Sequence, residues 1–128
     1  MIIDTSAILA ILFGEPDAAR YAEAIAMAWP RRMSVTALLE AAMVVESRGG
    51  TAAGHELDLL LEAASIELVP VTTEQADVAR RAWRRFGKGN HPAGLNFGDC
   101  FVYALAATSR EPLLFKGQDF THTDIEAA

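Results

Sequence analysis

Four apolar stretches, "MIID", "RMSV", "IELVPV" and "PLLFK", constrain the fold most, because each is too short to be a helix and reads as a strand. Helical patterns fill the gaps between them: "TSAILAILF", "GEPDAARYAEAIAMA", "TALLEAAMVVESRGG", a segment from about Ala52 to Ala64, "TTEQADVARRAWRRFG", and the apolar run that follows "GLNFGD". Strands alternating with helices indicate an α/β domain with a short, mainly parallel central sheet flanked by helices, since parallel neighbours need crossover connections. The helix ends carry their usual signals. Thr5 or Ser6 is placed to cap the first helix, Pro16 falls in the first turn of the second, and the Gly49–Gly50 pair ends the third. Thr72 and Gln75 stand at capping-box spacing, and Gly87 closes that helix.

The chain has 128 residues, of which 52% are hydrophobic and 22% charged, the balance of one globular domain with a real core. No apolar run approaches the ~20 residues of a membrane helix, and no basic segment opens the chain. The cytoplasm is the expected compartment, with no membrane partner. The single cysteine, Cys100, rules out an internal disulfide and a thiolate metal cage, and its apolar neighbours mark it as a core thiol. A net charge of −6 argues against binding nucleic acid through overall charge, though a local basic patch is compatible with it.

Chemistry is carried by acids. Asp4 ends the first strand and Asp119 follows the last, so both fall where open parallel sheets collect ligands, beyond the carboxyl ends of the strands. Each also has a plain structural reading, Asp4 as a helix cap and Asp119 as a turn residue. Asp99 stands at the mouth of a run that is apolar from Cys100 to Ala107, where an acid favours the positive end of the helix dipole by roughly 0.3–1 kcal/mol. Glu40 has Thr36, Ala37, Met43 and Val44 as its helical neighbours, a setting that buries a glutamate and calls for a cation or hydrogen-bond donors. Convergence of these acids would be costly, since two like charges ~4 Å apart repel by about 4 kcal/mol at an effective dielectric of about 20. A hard cation such as Mg²⁺ or Mn²⁺ would relieve it and bring phosphodiester hydrolysis within reach. An internal salt bridge at Glu40, and a non-enzymatic module whose acids hold a basic partner segment, are the alternatives.

The segment "ARRAWRRFGKGNH" is the main basic feature. Arg81, Arg84, Arg85 and Lys88 recur at helical spacing, which suits either an RNA-contacting stripe or a solvated face; Trp83 is expected to pack into the core, with stacking on a base as the alternative. Lys116 is a weaker candidate for phosphate contact. His55, His91 and His122 show no metal-binding helical spacing. The apolar surplus of "AILAILF" and "YAEAIAMAW" suits core packing, dimerisation or partner docking.

Taken in order, "MIIDTSAIL", "LLEAAMV", "GLNFGDCFVYALA" and "PLLFKGQDFTHTDI" resemble the PIN-domain proteins, and more narrowly the VapC toxins of bacterial toxin–antitoxin pairs, from Met1 to about Ile125. The resemblance implies a single PIN-like α/β/α domain over residues 1–128 and a Mg²⁺- or Mn²⁺-dependent endoribonuclease. It sets the family's acids on Asp4, Glu40, Asp99 and Asp119, with Asp4 and Asp99 as direct metal ligands. By the same comparison Thr5 or Ser6 is the hydroxyl beside the first acid, and Asn96 orients Asp99 or the substrate phosphate. Asp124, in "HTDI", reads as a C-terminal cap. An RNA substrate, a VapB-type antitoxin and a homodimer are the implied partners. A phosphotransferase is disfavoured, because "DTSA" lacks the second aspartate of a DxD element.

Overall fold

The computed structural model describes all 128 residues. Along the chain run β1 (Ile2–Ile3), α1 (Thr5–Leu12), α2 (Ala18–Met27), β2 (Arg32–Ser34), α3 (Val35–Ala63), β3 (Glu67–Val69), α4 (Thr73–Phe86), α5 (Phe97–Ser109) and β4 (Leu113–Leu114). The four strands form one parallel sheet in the order β3-β2-β1-β4. β1 sits in its middle, with Ile2 opposite both Arg32 and Leu113. Its two isoleucines are fully buried, as are Met33 and Leu113, so the sheet forms the centre of the core. Strand order reverses between β1 and β4, and the crevice of a parallel sheet opens at such a point.

The helices obey local chemistry, with some shifts from the expected boundaries. Asp4, rather than Thr5 or Ser6, caps α1. Pro16 precedes α2, which starts at Ala18 behind Asp17. Thr72 accepts a bond from the Gln75 backbone N–H at 3.1 Å, but the Gln75 side chain turns to the Pro70 carbonyl, so only half of a capping box forms. α3 breaks at Gly50, whose φ of 68° and ψ of −165° suit a residue without a side chain. The two halves bury Ala37, Ala41 and Val45 on one side of the break and Leu57 and Leu61 on the other.

The apolar surplus of α1 is consumed by the core: Ala7, Ile8 and Ala10 are buried, and Leu9, Ile11, Leu12 and Phe13 pack against them. α2 buries Tyr21 and Ile25, whereas Met27 and Trp29 at its end stay exposed. No helix is long and apolar enough to cross a membrane. Polar ties close the sheet's other end. Glu111 accepts from the Met1 amino group and from Arg32, while Arg31 donates to the carbonyls of Ala26, Ala28 and Ala64, where α2 and α3 run out of helical partners.

No atom within 4 Å would meet a Cβ at Gly50, so Gly50→Ala tests backbone strain alone. The substitution is expected to lower stability by about 1–3 kcal/mol, read as a lower urea midpoint at unchanged slope.

Candidate active site

Asp4 leaves β1 and turns directly into α1 in extended conformation, its backbone N–H bonded to Leu114 of the neighbouring strand at 2.9 Å. Its Oδ2 accepts from the Ser6 backbone N–H at 3.0 Å and from the Ser6 hydroxyl. The same Ser6 oxygen accepts from the backbone N–H of Lys116 at 2.9 Å. One hydroxyl therefore couples the acid after β1 to the loop after β4, which carries Asp119. Thr5 does something different: its hydroxyl donates to the Ala37 carbonyl at 3.0 Å and pins α1 to α3 one turn before Glu40.

Asp99 is held reciprocally. The Asn96 side chain accepts from the Asp99 backbone N–H at 2.9 Å, and Asp99 Oδ2 accepts from the Asn96 backbone N–H at 3.0 Å, a capping box at the start of α5. Gly98 brings Glu40 in. A Cβ at Gly98 would lie 2.3 Å from Glu40 Oε2 and 3.5 Å from Asn96 Oδ1, so the glutamate of α3 rests against bare backbone. Glu40 is half-buried and forms no hydrogen bond, and α3 is not enclosed there, since Leu39 and Met43 beside it are exposed. Asp119 is exposed on its loop.

The electrostatics record the proximity of these acids. Burial pushes the Asp99 carboxyl up to about 7 against the opposing Asn96 bond, and the charges of Asp4, Asp119 and Glu40 push the same way. Burial also raises Asp4, with Ser6 opposing and Glu40 adding to the rise. No three acidic, histidine or cysteine side chains stand close enough to form a ready-made metal cage. Mg²⁺ does not need one, because it takes one or two carboxylates and keeps several waters. The hydrogen bonds to Asp4 and Asp99 fall on Oδ2 in both, which leaves their Oδ1 atoms as donors to a hard cation. The donor set fits such an ion.

Two of the predicted cations are engaged by acids. Lys116 is bound by Glu15 and by Asp17, the latter at 2.8 Å, and these partners raise its pKa. Arg85 pairs with Asp124 at 3.2 Å. Asp124 is thus no simple cap, as it also accepts from the Tyr103 hydroxyl at 2.7 Å. Arg81, Arg84 and Lys88 are exposed. Trp83, expected in the core, is half-exposed in a cleft between α4 and α5 together with Arg80, Lys88, Asn96 and Phe97. The sequence reading passed over Arg80 and Phe97 there. The spacing of Ala76, Ala79, Arg80 and Trp83 on one helical face was the available signal.

The raised Asp99 pKa has a signed consequence. Between its ordinary value of 3.8 and about 7 the folded chain holds more protons than the unfolded chain, so this group removes stability as pH rises through that window. In chelator, Asp99→Asn is expected to gain stability relative to the parent from acid to neutral pH, while the two converge at the acid end. Parallel denaturation curves across pH check this.

A PIN-domain family profile matches residues 1–126. Ribonuclease VapC of Mycolicibacterium smegmatis is 57% identical over 127 residues, spanning 99% of this chain and 98% of that protein. Ribonuclease VapC30 of Mycobacterium tuberculosis is 55% identical over 125 residues, spanning 98% and 95%. Among solved structures, VapC20 of Mycobacterium tuberculosis superposes with a TM-score of 0.80 at 16% identity over 99% of this chain and 97% of that one. VapBC-1 of nontypeable Haemophilus influenzae gives 0.76 at 16% identity, covering 99% and 95%. These distant structures speak to the fold, and the close relatives speak to the lineage. The chain belongs to the PIN-domain family, among the VapC ribonucleases.

Proposed function

We propose that this chain is a Mg²⁺-dependent endoribonuclease, with Mn²⁺ as a substitute ion, acting as the toxin of a VapBC-type pair. What supports the reading most is that Asp4, Asp119 and Glu40 all lie near enough to Asp99 for their charges to raise it, with Asp4 directly after β1 at the centre of the sheet. Asp4 and Asp99 would hold the cation through their Oδ1 atoms. When bound, the ion supplies positive charge to a phosphoryl oxygen and makes water more acidic. Ser6 and Asn96 keep the two ligands aimed. Glu40, free of hydrogen bonds, accepts the proton of the attacking water. Asp119 adds negative charge at the exposed side of the pocket. In-line attack by water then leaves a 3′-hydroxyl and a 5′-phosphate, with no protein nucleophile. Arg81 and Arg84 are exposed where they can receive the backbone of the incoming RNA, whereas Arg85 and Lys116 are engaged by acids.

Two tests address the chemistry. With a mixed RNA pool, the parent is expected to cleave with Mg²⁺ or Mn²⁺ and to stop in chelator, and folded Asp99→Asn to be inactive. Equal cleavage by Asp99→Asn would remove the acid from the site, and an inert parent would favour the binding-module reading. Gly98→Ala is the subtler case. The variant is expected to hold or slightly raise its unfolding midpoint, since alanine favours a helix over glycine by roughly 0.5–1 kcal/mol. It should nevertheless lose cleavage, because the new methyl displaces the Glu40 carboxylate.

A VapB-type antitoxin is the proposed protein partner, supported by the VapC relatives and by the Haemophilus VapBC-1 likeness. A homodimer is proposed on the exposed stripe of Val35, Leu39 and Met43, one turn apart along α3. Leu39→Glu with Met43→Glu is expected to yield a monomer by sedimentation at concentrations where the parent is dimeric. A parent that stays monomeric throughout refutes the dimer.

A further inference from the structure

A cleft of about 590 Å³ lies between α4 and α5, and the proposed chemistry leaves its aromatic walls unused. It presents two aromatic rings to water: Trp83 is 50% exposed and Phe97 80%. Both rings are supported from behind. Gly87 lies under the indole so closely that a Cβ there would be 2.6 Å from Trp83 Cδ1. Phe97 stands edge-on to Phe101 with ring centroids 5.0 Å apart. The two walls are joined at the base, where Gly87 bridges Leu95 and the Lys88 backbone N–H donates to the Leu95 carbonyl at 2.9 Å.

Charge and position narrow the occupant. The only charged residues lining the cleft are Arg80 and Lys88, neither in an ion pair, in a chain whose net charge is −6. A basic polypeptide would meet two cations and no carboxylate. A polyanion would be matched. Asn96 belongs both to the cleft wall and to the capping box of Asp99, so the cleft abuts the acidic site. Exposed aromatic faces flanked by cations are the means by which proteins hold unpaired nucleotides.

Resting on the ribonuclease reading, we infer that this cleft is a nucleotide subsite for single-stranded RNA, in which Trp83 and Phe97 stack an unpaired base while Arg80 and Lys88 neutralise its phosphates. The base is held beside Asn96, and the adjoining phosphodiester is delivered to the acids. Such a subsite selects for unpaired RNA, because a base within a duplex offers no free face.

Trp29→Phe leaves Trp83 as the sole indole, which gives a direct optical reading. In chelator, a short mixed-sequence single-stranded RNA is expected to quench this fluorescence. An abasic ribose-phosphate oligomer of equal charge should quench little, and an RNA duplex should compete poorly. By fluorescence anisotropy of labelled RNA, Trp83→Ala and Phe97→Ala should each weaken binding about tenfold, with Trp83→Phe largely restoring it. Matched unfolding midpoints confirm that the variants are folded. Unchanged RNA affinity in both alanine variants overturns the inference, and it does so too if those variants instead lose inhibition by the antitoxin, which would make the cleft a protein site. Asp99→Asn separates the two readings. It should bind RNA normally and fail to cleave, so a failed subsite leaves the nuclease standing, and a chain that stacks RNA without cleaving it refutes the nuclease alone.

Discussion

Repulsion among carboxylates sets the terms for this molecule. Asp99 lies within the influence of Asp4, Asp119 and Glu40, and burial strengthens the penalty. The fold holds them together by using each as a structural part. Asp4 caps α1, and Asp99 stands in the first turn of α5 behind its cap Asn96, so both sit where unsatisfied backbone N–H groups and the helix dipole favour negative charge. Glu40 approaches only because Gly98 has no side chain. The residual repulsion is what a bound cation would relieve.

Positioning falls to a few hydrogen bonds between elements distant in sequence. The Ser6 hydroxyl touches Asp4 and the backbone after β4, and Thr5 reaches α3 through the Ala37 carbonyl. Adjacent hydroxyls thus tie the start of α1 to α3 and to the loop after β4. Three acids are carried on strand ends or helices, and only Asp119 is on a loop. Rigid support of this kind suits a site whose groups must keep fixed distances while a flexible chain passes over them.

Beside the acids, the α4–α5 cleft pairs an apolar floor with two free cations, in contrast to the acidic pocket. The contrast separates two tasks within one small domain. The acids would suit a cation, while the aromatic rings with Arg80 and Lys88 would suit a polyanion. An overall charge of −6 therefore says little about either surface.

The alternation of short apolar runs with helical patterns was enough to read the parallel α/β sheet, because crossover connections leave few other arrangements. The break at Gly50 and the acids at strand and helix ends were legible for the same reason: each is local chemistry. The roles of Ser6 and Thr5 were not, since adjacent hydroxyls look alike until their partners 110 and 32 residues away are in place. Nor was the exposure of Trp83, because a tryptophan on an amphipathic helix is buried or bare depending on what packs opposite, and here α5 leaves a gap. Lys116 and Asp124 likewise gained partners from distant segments. Periodicity and capping are properties of neighbours along the chain and were readable from it. Which charge is paired, which ring is bare and which carboxylates meet were decided by the packing of remote segments, which no local pattern encodes.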